Sequence, residues 1–267
     1  MDSGSVGGIL LALLGILAGL MIEGGRIDQV LQPTAAMIVF GGTFGAILLQ
    51  YPLATVMAAL RRLAHVFFWR KNSGQATLTQ IVGFANKARR SGIVSLDSDL
   101  DSIEDPFLRQ AVMLAVDGTE PSELRTIMEL QLDNQSENEE KLPAVFESAG
   151  GFSPTIGIIG AIIGLIQVMQ HLNHINEVGR GIAVAFVATI YGVASANLLF
   201  LPVAGKLRIR VREEQRLKEM AIEGVISILE GMNPRILEVK LQTYLTAPVE
   251  KQKKNKKSKN APQESTA

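Results

Sequence analysis

One stretch constrains the fold more than any other: no charged residue occurs between Ser148 and Gln170. About 20 apolar residues suffice to cross a lipid bilayer as a helix. The stretch is rich in glycine, and each interior glycine costs a soluble helix roughly 1 kcal/mol relative to alanine. In a membrane, glycines four residues apart, such as Gly160 and Gly164, let two helix backbones approach closely. We therefore predict a tightly packed membrane helix, with a pore-lining role as the alternative.

Three further uncharged apolar runs predict three more membrane helices, at about residues 6–22, 34–51 and 181–205. With the helix at about 148–170 they form two transmembrane hairpins, 1–51 and 148–205. Small residues recur four positions apart in these runs, a spacing typical of close helix packing. The glycines predicted to pack are Gly41, Gly45, Gly157, Gly160, Gly164 and Gly192.

The segment between the hairpins, residues 52–147, has the composition of a water-exposed domain. Charged residues are dense there, and apolar residues such as Ile81 and Phe84 recur at helical spacing. Residues 206–245 predict an amphipathic helical tail. Residues 246–267 are lysine-rich and lack the apolar residues needed to offset the entropy of ordering, so we predict disorder there. The predicted fold class is all-α: a polytopic membrane protein with four transmembrane helices and a helical cytoplasmic domain.

The distribution of basic residues predicts the orientation in the membrane. Residues 23–33 and 171–180, the turns of the two hairpins, contain one arginine each. Nearly all other lysines and arginines lie in 52–147 and after residue 205. Because basic residues favour the cytoplasmic side, we expect both large segments and both termini to be cytoplasmic.

Composition argues against several classes of function. Lysine plus arginine and aspartate plus glutamate both number 26, and a formal net charge of +0 argues against nucleic-acid binding. There are no cysteines, which excludes disulfides, thiolate metal sites and a cysteine nucleophile. The three histidines are too scattered for a metal site, and no nucleophile–base pair or phosphate-binding loop occurs. We expect no enzyme activity, no cofactor and no bound metal.

The predicted membrane helices contain no Asp, Glu, Lys, Arg or His at depth. Proton paths and ion pumps usually carry an intramembrane carboxylate or histidine. The polar side chains here are hydroxyls and amides, including Thr155, Thr189, Ser195 and Asn197. Either this chain conducts nothing, or a second polypeptide supplies the titrating group.

Several short stretches, in order along the chain, resemble one family of membrane proteins. They are Met21–Gly25, Val39–Gly45, Ala88–Asp97, Ser153–Pro154 with Gly157–Leu165, Val187–Gly192 and Glu230–Arg235. Their order and spacing resemble the flagellar motor stator A-subunits of the MotA/PomA family, with most likeness to the MotC-like branch, in the wider MotA/TolQ/ExbB proton channel group. The resemblance covers roughly Gly7 to Leu245.

The resemblance implies an assembly in the bacterial inner (cytoplasmic) membrane. A-subunits of this family form a homo-oligomeric ring, taken to be a pentamer, around two copies of a MotB-like B-subunit. The B-subunit has one membrane helix and a peptidoglycan-binding domain. The membrane helix contains an essential Asp to which the crossing ions bind. The A-subunit's cytoplasmic domain pushes on the rotor switch protein FliG. The implied function is a stator A-subunit that converts ion flow into torque.

The resemblance also assigns residues. Pro154 and Pro202 match the family's prolines in the third and fourth helices. Arg89 and Asp97 match its charged pair for rotor contact, although the family often has glutamate where this chain has Asp97. Each has a rival interpretation: Pro202 as a simple helix end, and Arg89 with Asp97 as a solvated pair. From the sequence alone, Pro154 is expected near the start of its helix, where a missing N–H does least harm.

The coupling ion depends on Ala161 and Thr189. In sodium-using members of the family a threonine occupies the place of Ala161, and that threonine and the one matching Thr189 are linked to sodium selectivity. Sodium needs several oxygen ligands, whereas a proton needs a titrating group and a hydrogen-bonded path. Ala161 offers no oxygen, so the sequence favours a proton. The rival interpretation of Thr189 is a hydrogen bond back to its own helix.

Two alternative functions stay open at this point. An ExbB/TolQ-like energiser would couple the proton gradient to envelope processes rather than to flagellar rotation. Those relatives usually have three membrane helices, whereas this sequence predicts four. The other alternative is a passive membrane scaffold without ion flow.

Overall fold

The computed structural model describes residues 3–67, 74–172 and 175–245, and within these ranges no β-strand occurs. The α-helices are α1 (Ser3–Ile22), α2 (Pro33–Gln50), α3 (Leu53–Phe67), α4 (Gly74–Ser91), α5 (Pro106–Val116), α6 (Pro121–Gln170), α7 (Ile175–Ser195), α8 (Leu201–Leu229) and α9 (Pro234–Leu245). Two 3₁₀ helices span Ile27–Val30 and Ile93–Ser102. The predicted all-α fold is confirmed. The predicted disordered segment, 246–267, lies outside the described residues.

Short-range sequence signals set the ends of the helices in the middle of the chain. Gly92 and Gly118 have φ angles of 81° and 84°, which L side chains rarely adopt, and each follows a helix. The Asp105 carboxylate accepts the Phe107 N–H at 2.8 Å and so caps the start of α5. Pro106 occupies the first turn, where no intrahelical donor is lost.

Helix α6 is the longest α-helix of the described residues. It joins the water-exposed domain predicted at 52–147 to the transmembrane hairpin predicted at 148–205. Its 50 residues span about 75 Å at 1.5 Å per residue. The structure differs here from the sequence-based prediction: no helix begins near residue 148, and the helix continues through both Pro143 and Pro154. An interior proline costs an isolated helix about 3 kcal/mol. Packing of α6 against α2, α7 and α8 stabilises the helix despite that cost.

Helices α7 and α8 are likewise continuous, joined by a π-helical turn at Ala196–Phe200. In this turn the Leu201 N–H bonds to the Ala196 carbonyl, one residue farther back than in an α-helix. The helix predicted at about 181–205 therefore extends at both ends, and α8 carries it into the amphipathic tail. Pro202 does not end the helix, which contradicts its interpretation as a simple helix end.

Three cores lie along the long helices of the described residues, and the third joins α2 to α7. The first joins α4, α5 and α9 to the first half of α6 and the second half of α8, and its fully buried members include Leu78, Ile81, Leu108, Leu124, Met128, Met220, Ile226, Leu237 and Leu241. The second joins α3 to α6 and α8 through residues such as Val56, Phe146, Val203 and Leu207. The first core accounts for the helical domain predicted between the hairpins and shows that α8 and α9 belong to it.

Four helical stretches are long and apolar enough to cross a membrane: Gly4–Ile22, Ile27–Gln50, Pro121–Gln170 and Val178–Leu229. They contain the four predicted membrane helices. Helix α2 packs against α6 and α7 and buries Ala35 and Val39. The apolar window of α1 is 0% buried, so a membrane or other chains must cover it.

Candidate functional site

The glycines predicted in α6 and α7 lie where these two helices touch. A Cβ built on Gly157, Gly164 or Gly192 would lie within 2.9 Å of a backbone atom of the other helix. One built on Gly160 would lie 2.8 Å from the methyl group of Ala188. Since real Cβ atoms do not approach backbone so closely, this contact between the helices depends on glycine.

The two glycines predicted in α2 are placed differently. Gly41 and Gly45 face outward, and a Cβ built on either meets nothing within 4 Å. Their neighbour Gly42 faces α6 instead, where a Cβ would lie 2.8 Å from Cγ2 of Ile156. If Gly41 and Gly45 pack against a helix, that helix belongs to another chain, and their packing role stays a prediction.

Two buried serines hold α6 to the end of α7. Ser153, directly before Pro154, is fully buried, and its Oγ lies 2.6 Å from Oγ of Ser195. The Ser195 hydroxyl in turn donates to the carbonyl of Tyr191 at 2.6 Å. Ser195 is the last residue of α7 before the π-helical turn. Pro154 and that turn are therefore joined by a short chain of hydrogen bonds in an apolar surrounding, where such bonds are strong.

Ala161 and Thr189 lie at the same depth of the α6–α7 pair, because Gly160 faces Ala188 directly. The Thr189 hydroxyl donates to the Ala185 carbonyl at 3.2 Å, so its proton is used within its own helix, as the rival interpretation expected. Its oxygen keeps acceptor capacity. Thr189 and Ala161 are both half-buried, and Ala161 adds no oxygen to the site.

Pro202 lies on the exposed side of α8, next to a cleft between that helix and α1. The cleft has a volume of about 370 Å³ and is lined by Gly4, Ser5, Gly8, Ile9, Ala12, Asn197, Leu198, Pro202, Val203 and Lys206. Lys206 donates from Nζ to Oγ of Ser5 at one end. The structure thus places Pro202 away from the close contact between α6 and α7, directly after the π-helical turn.

The outward face of α6 and α7 is apolar and exposed. Its members include Ile158, Ile162, Leu165, Phe186, Ile190 and Val193. No Asp, Glu, Lys, Arg or His occurs at 148–170 or 181–205. Among the described residues, no three His, Asp or Glu side chains are grouped so that they could hold a metal ion. The exposed face of α6 and α7 therefore offers no Asp, Glu, Lys, Arg or His of its own to a crossing ion.

Arg89 and Asp97 flank the Gly92 turn at the end of α4. Both are exposed, and within the described residues neither side chain takes part in an ion pair or hydrogen bond. Their neighbours Lys87 and Asp99 do pair, with Nζ 2.7 Å from Oδ2. The two residues predicted for rotor contact thus present unpaired charges of opposite sign to solvent.

The carboxylate of Glu223 ties α9 and α6 to α8. Its Oε2 accepts from Arg125 at 2.9 Å, and its Oε1 accepts from Lys240. Burial acts to raise the pKa of Glu223, but the hydrogen bonds from Lys240 and Arg125 outweigh it, so the pKa is lowered overall. The cluster is therefore fully charged at neutral pH.

Comparisons with known proteins match nearly the whole chain. Residues 6–92 match a family model described as motility protein A N-terminal, and residues 99–220 match the MotA/TolQ/ExbB proton channel family. Motility protein A of Bacillus subtilis is 34% identical over 251 residues, which cover 92% of each chain. The chain belongs to the MotA/PomA family of flagellar motor stator A-subunits.

Solved structures agree with this membership of the MotA/PomA family. The C. jejuni MotAB structure has a TM-score of 0.88 at 31% identity and covers 93% of this chain and 97% of its own. The flagellar MotAB stator complex of Bacillus subtilis has a TM-score of 0.83 at 32% identity, with 92% and 96% covered. The MotA-family chain described here is therefore a multi-pass membrane protein of the same fold.

Sequence reasoning missed two features of this MotA-family site. The Ser153–Ser195 pair joins residues 42 positions apart, and no local pattern identifies it, although a serine directly before a membrane proline is a weak signal. The second is Tyr191, whose hydroxyl donates to the Val30 carbonyl at 2.6 Å and fixes the first hairpin turn to α7. Tyr191 lies in the Val187–Gly192 stretch, but no local pattern indicates its partner.

Proposed function

We propose that this MotA-family chain acts in the bacterial inner membrane as the A-subunit of a stator, a pentameric ring around two copies of a MotB-like B-subunit. One observation carries the proposal. The exposed face of α6 and α7 is apolar and has no titratable side chain. It needs a covering chain, and ion flow needs a carboxylate from that chain.

An intramembrane Asp on the B-subunit fits this face electrostatically. A charged carboxylate in an apolar surrounding is costly, whereas the protonated form is much less so. Protonation and release therefore change how favourably the B-subunit helix packs against α6 and α7. If the ring can turn, its rotation brings a new A-subunit face to the carboxylate. This relieves the unfavourable contact between the charged carboxylate and the apolar face.

The long helices give this motion a direct route to the cytoplasm. Helix α6 is continuous from Pro121 to Gln170, and α7 continues through the π-helical turn into α8. Helices α6 and α8 both contribute to the first core, which includes α4 and which we place in the cytoplasm. We propose that Pro154 and Pro202 adjust the helices at the membrane end, and that Arg89 and Asp97 deliver the movement to complementary charges on FliG.

The coupling ion in this proposal is the proton. Thr189 offers a single hydroxyl oxygen, and Ala161 supplies no oxygen ligand. Sodium would have to shed water with few oxygens to replace it, whereas a proton needs only the B-subunit carboxylate and a hydrogen-bonded path.

Co-expression of this chain with its B-subunit in flagellated cells that lack stators tests the function. Swimming should return, and an Asp→Asn change in the B-subunit helix should abolish it while both proteins still reach the membrane. An ExbB/TolQ-like energiser would leave such cells non-motile and would instead restore an envelope process in cells lacking that machinery. The four candidate membrane helices and the match to the motility protein A N-terminal model favour the stator.

A further inference from the structure

Helices α4 and α8 run side by side away from the membrane. A Cβ built on Gly74, at the start of α4, would lie 2.7 Å from Leu217, and one built on Gly224 would lie 2.7 Å from Ile81. The contacts therefore advance in the same direction along both helices. Because α8 has 29 residues and begins at the membrane, its last residue lies about 40 Å from its first.

A cavity of about 230 Å³ lies at this distal end, where the last turns of α4 meet the turn that follows α8. Its wall consists of Ala85, Ala88, Arg89, Ile93, Ile228, Leu229, Gly231 and Met232. Arg89 and Gly231 are exposed, so the cavity reaches the surface. Since a protein cavity of about 150 Å³ holds benzene, this one has room for a large apolar side chain.

The wall of the cavity is apolar and held in place by the protein interior. Ala85 and Ile228 are buried members of the first core, and Ile93, Leu229 and Met232 pack against that core. The cavity is therefore preformed, which lowers the entropy cost of binding. Methionine adapts its shape to a bound group, and Met232 is half-buried in this wall.

Charges of opposite sign border the cavity. Among the described residues of its wall, Arg89 is the only charged one. Asp97 lies on the 3₁₀ helix that begins with Ile93 of the wall, and Val94 on the same helix is 66% exposed. An apolar pocket with charges at its border has the anatomy of a protein interface. A buried anchor supplies most of the affinity there, and the charges steer and orient the partner.

We propose that this cavity receives one apolar side chain of the rotor protein. An amphipathic helix presents that side chain, together with an acidic residue for Arg89 and a basic residue for Asp97. This inference rests on the proposed function and adds an apolar anchor to a rotor contact made by two charges. A small polar ligand fits the cavity less well, because most of the wall is aliphatic.

The change Ala88→Leu tests the proposal by filling the cavity from its own wall. Ala88 is half-buried, and leucine is a good helix former, so the fold and both bordering charges should be retained. Thr79→Leu is the matched control, because it adds apolar bulk to an exposed position on α4, nine residues nearer the membrane. The native chain and both variants are expressed with the B-subunit in flagellated cells that lack other stators. Swimming speed and the amount of stator in the membrane are measured.

We expect Ala88→Leu to lower the swimming speed at least threefold at an unchanged amount of membrane-inserted protein. Cells with Thr79→Leu should swim like those with the native chain. A photo-reactive diazirine amino acid in place of Ala88 should also form an adduct with an apolar residue of the rotor protein. The same amino acid in place of Thr79 should form none.

Native swimming speed of the Ala88→Leu variant overturns the apolar anchor and leaves the stator function intact. If that variant is inserted poorly, the adduct decides: attachment only to charged residues of the rotor protein, or none, overturns the anchor. A native chain that does not restore swimming would instead refute the stator function, and the anchor with it.

Discussion

At the residue scale, the contact between α6 and α7 depends on the absence of side chains. Gly192 is the tightest position: a Cβ there would lie 2.6 Å from the Ser153 carbonyl oxygen and 3.2 Å from Cα of Pro154. These are backbone atoms of a packed helix, so neither can move aside locally. The glycine spacing predicted this contact, but not the outward placement of Gly41 and Gly45, because spacing identifies a small face without saying which chain covers it.

The change Gly192→Ala should therefore separate α6 from α7 near Pro154. We expect a loss of about 1–3 kcal/mol in stability, as for overpacked cores, together with impaired motility. Gly151→Ala is the matched control on α6, because a Cβ there meets nothing within 4 Å. Thermal unfolding of the purified complex in detergent measures the difference. If the two variants unfold at the same temperature, the close contact is not as described.

The proposed rotor contact is also testable at single residues. Arg89→Glu and Asp97→Lys should each impair swimming while expression and membrane insertion stay normal, because exposed charges steer docking to a partner. A complementary charge reversal on FliG should restore part of the swimming speed. Full motility of the double reversal in this chain would show that both side chains are merely solvated.

At the element scale, the sequence predicted the existence of the helices better than their ends. Gly92 and Gly118, both with positive φ, lie in the turns after α4 and α5. Proline was a misleading signal: Pro154 was expected near a helix start and Pro202 had a simple helix end as its rival interpretation, yet both lie within continuous helices that tertiary packing stabilises. The Ser153–Ser195 and Tyr191–Val30 contacts join distant positions, so no local pattern could reveal them.

The docking of α9 gives a prediction for pH. Because the pKa of Glu223 is lowered in the folded protein, its contribution to stability is present above the ordinary carboxyl pKa and is lost as pH falls through the lowered value. Glu223→Gln should cost about 1 kcal/mol at neutral pH, since its cationic partners are partly exposed. The difference from the native chain should vanish in acid.

Hydrogen exchange of the α9 amides, corrected for the intrinsic rate at each pH, measures this effect. Glu219→Gln, one turn earlier on α8 and exposed, is the control and should change little. If Glu223→Gln leaves the protection of α9 unchanged at neutral pH, the Arg125–Glu223–Lys240 cluster does not hold the helix.

At the scale of the whole molecule, the basic residues predict which ends of the long helices face the cytoplasm. The apolar windows define four crossings, and an even number puts both termini on one side. Cysteines introduced at Ser91 and Gln29 should react with membrane-impermeant reagents from opposite sides of the membrane. Labelling of both positions in intact cells would contradict a cytoplasmic location of the domain around α4.

In the proposed mechanism, proton flow along an apolar A-subunit face, with a carboxylate from the B-subunit, drives rotation. The most direct measurement is the rotation speed of tethered cells whose only stators contain this chain and its B-subunit. Rotation should continue without sodium, fall in proportion as a protonophore lowers the proton gradient, and stop when the gradient is gone. A speed that follows external sodium at constant pH, and that persists with the protonophore, would contradict the account.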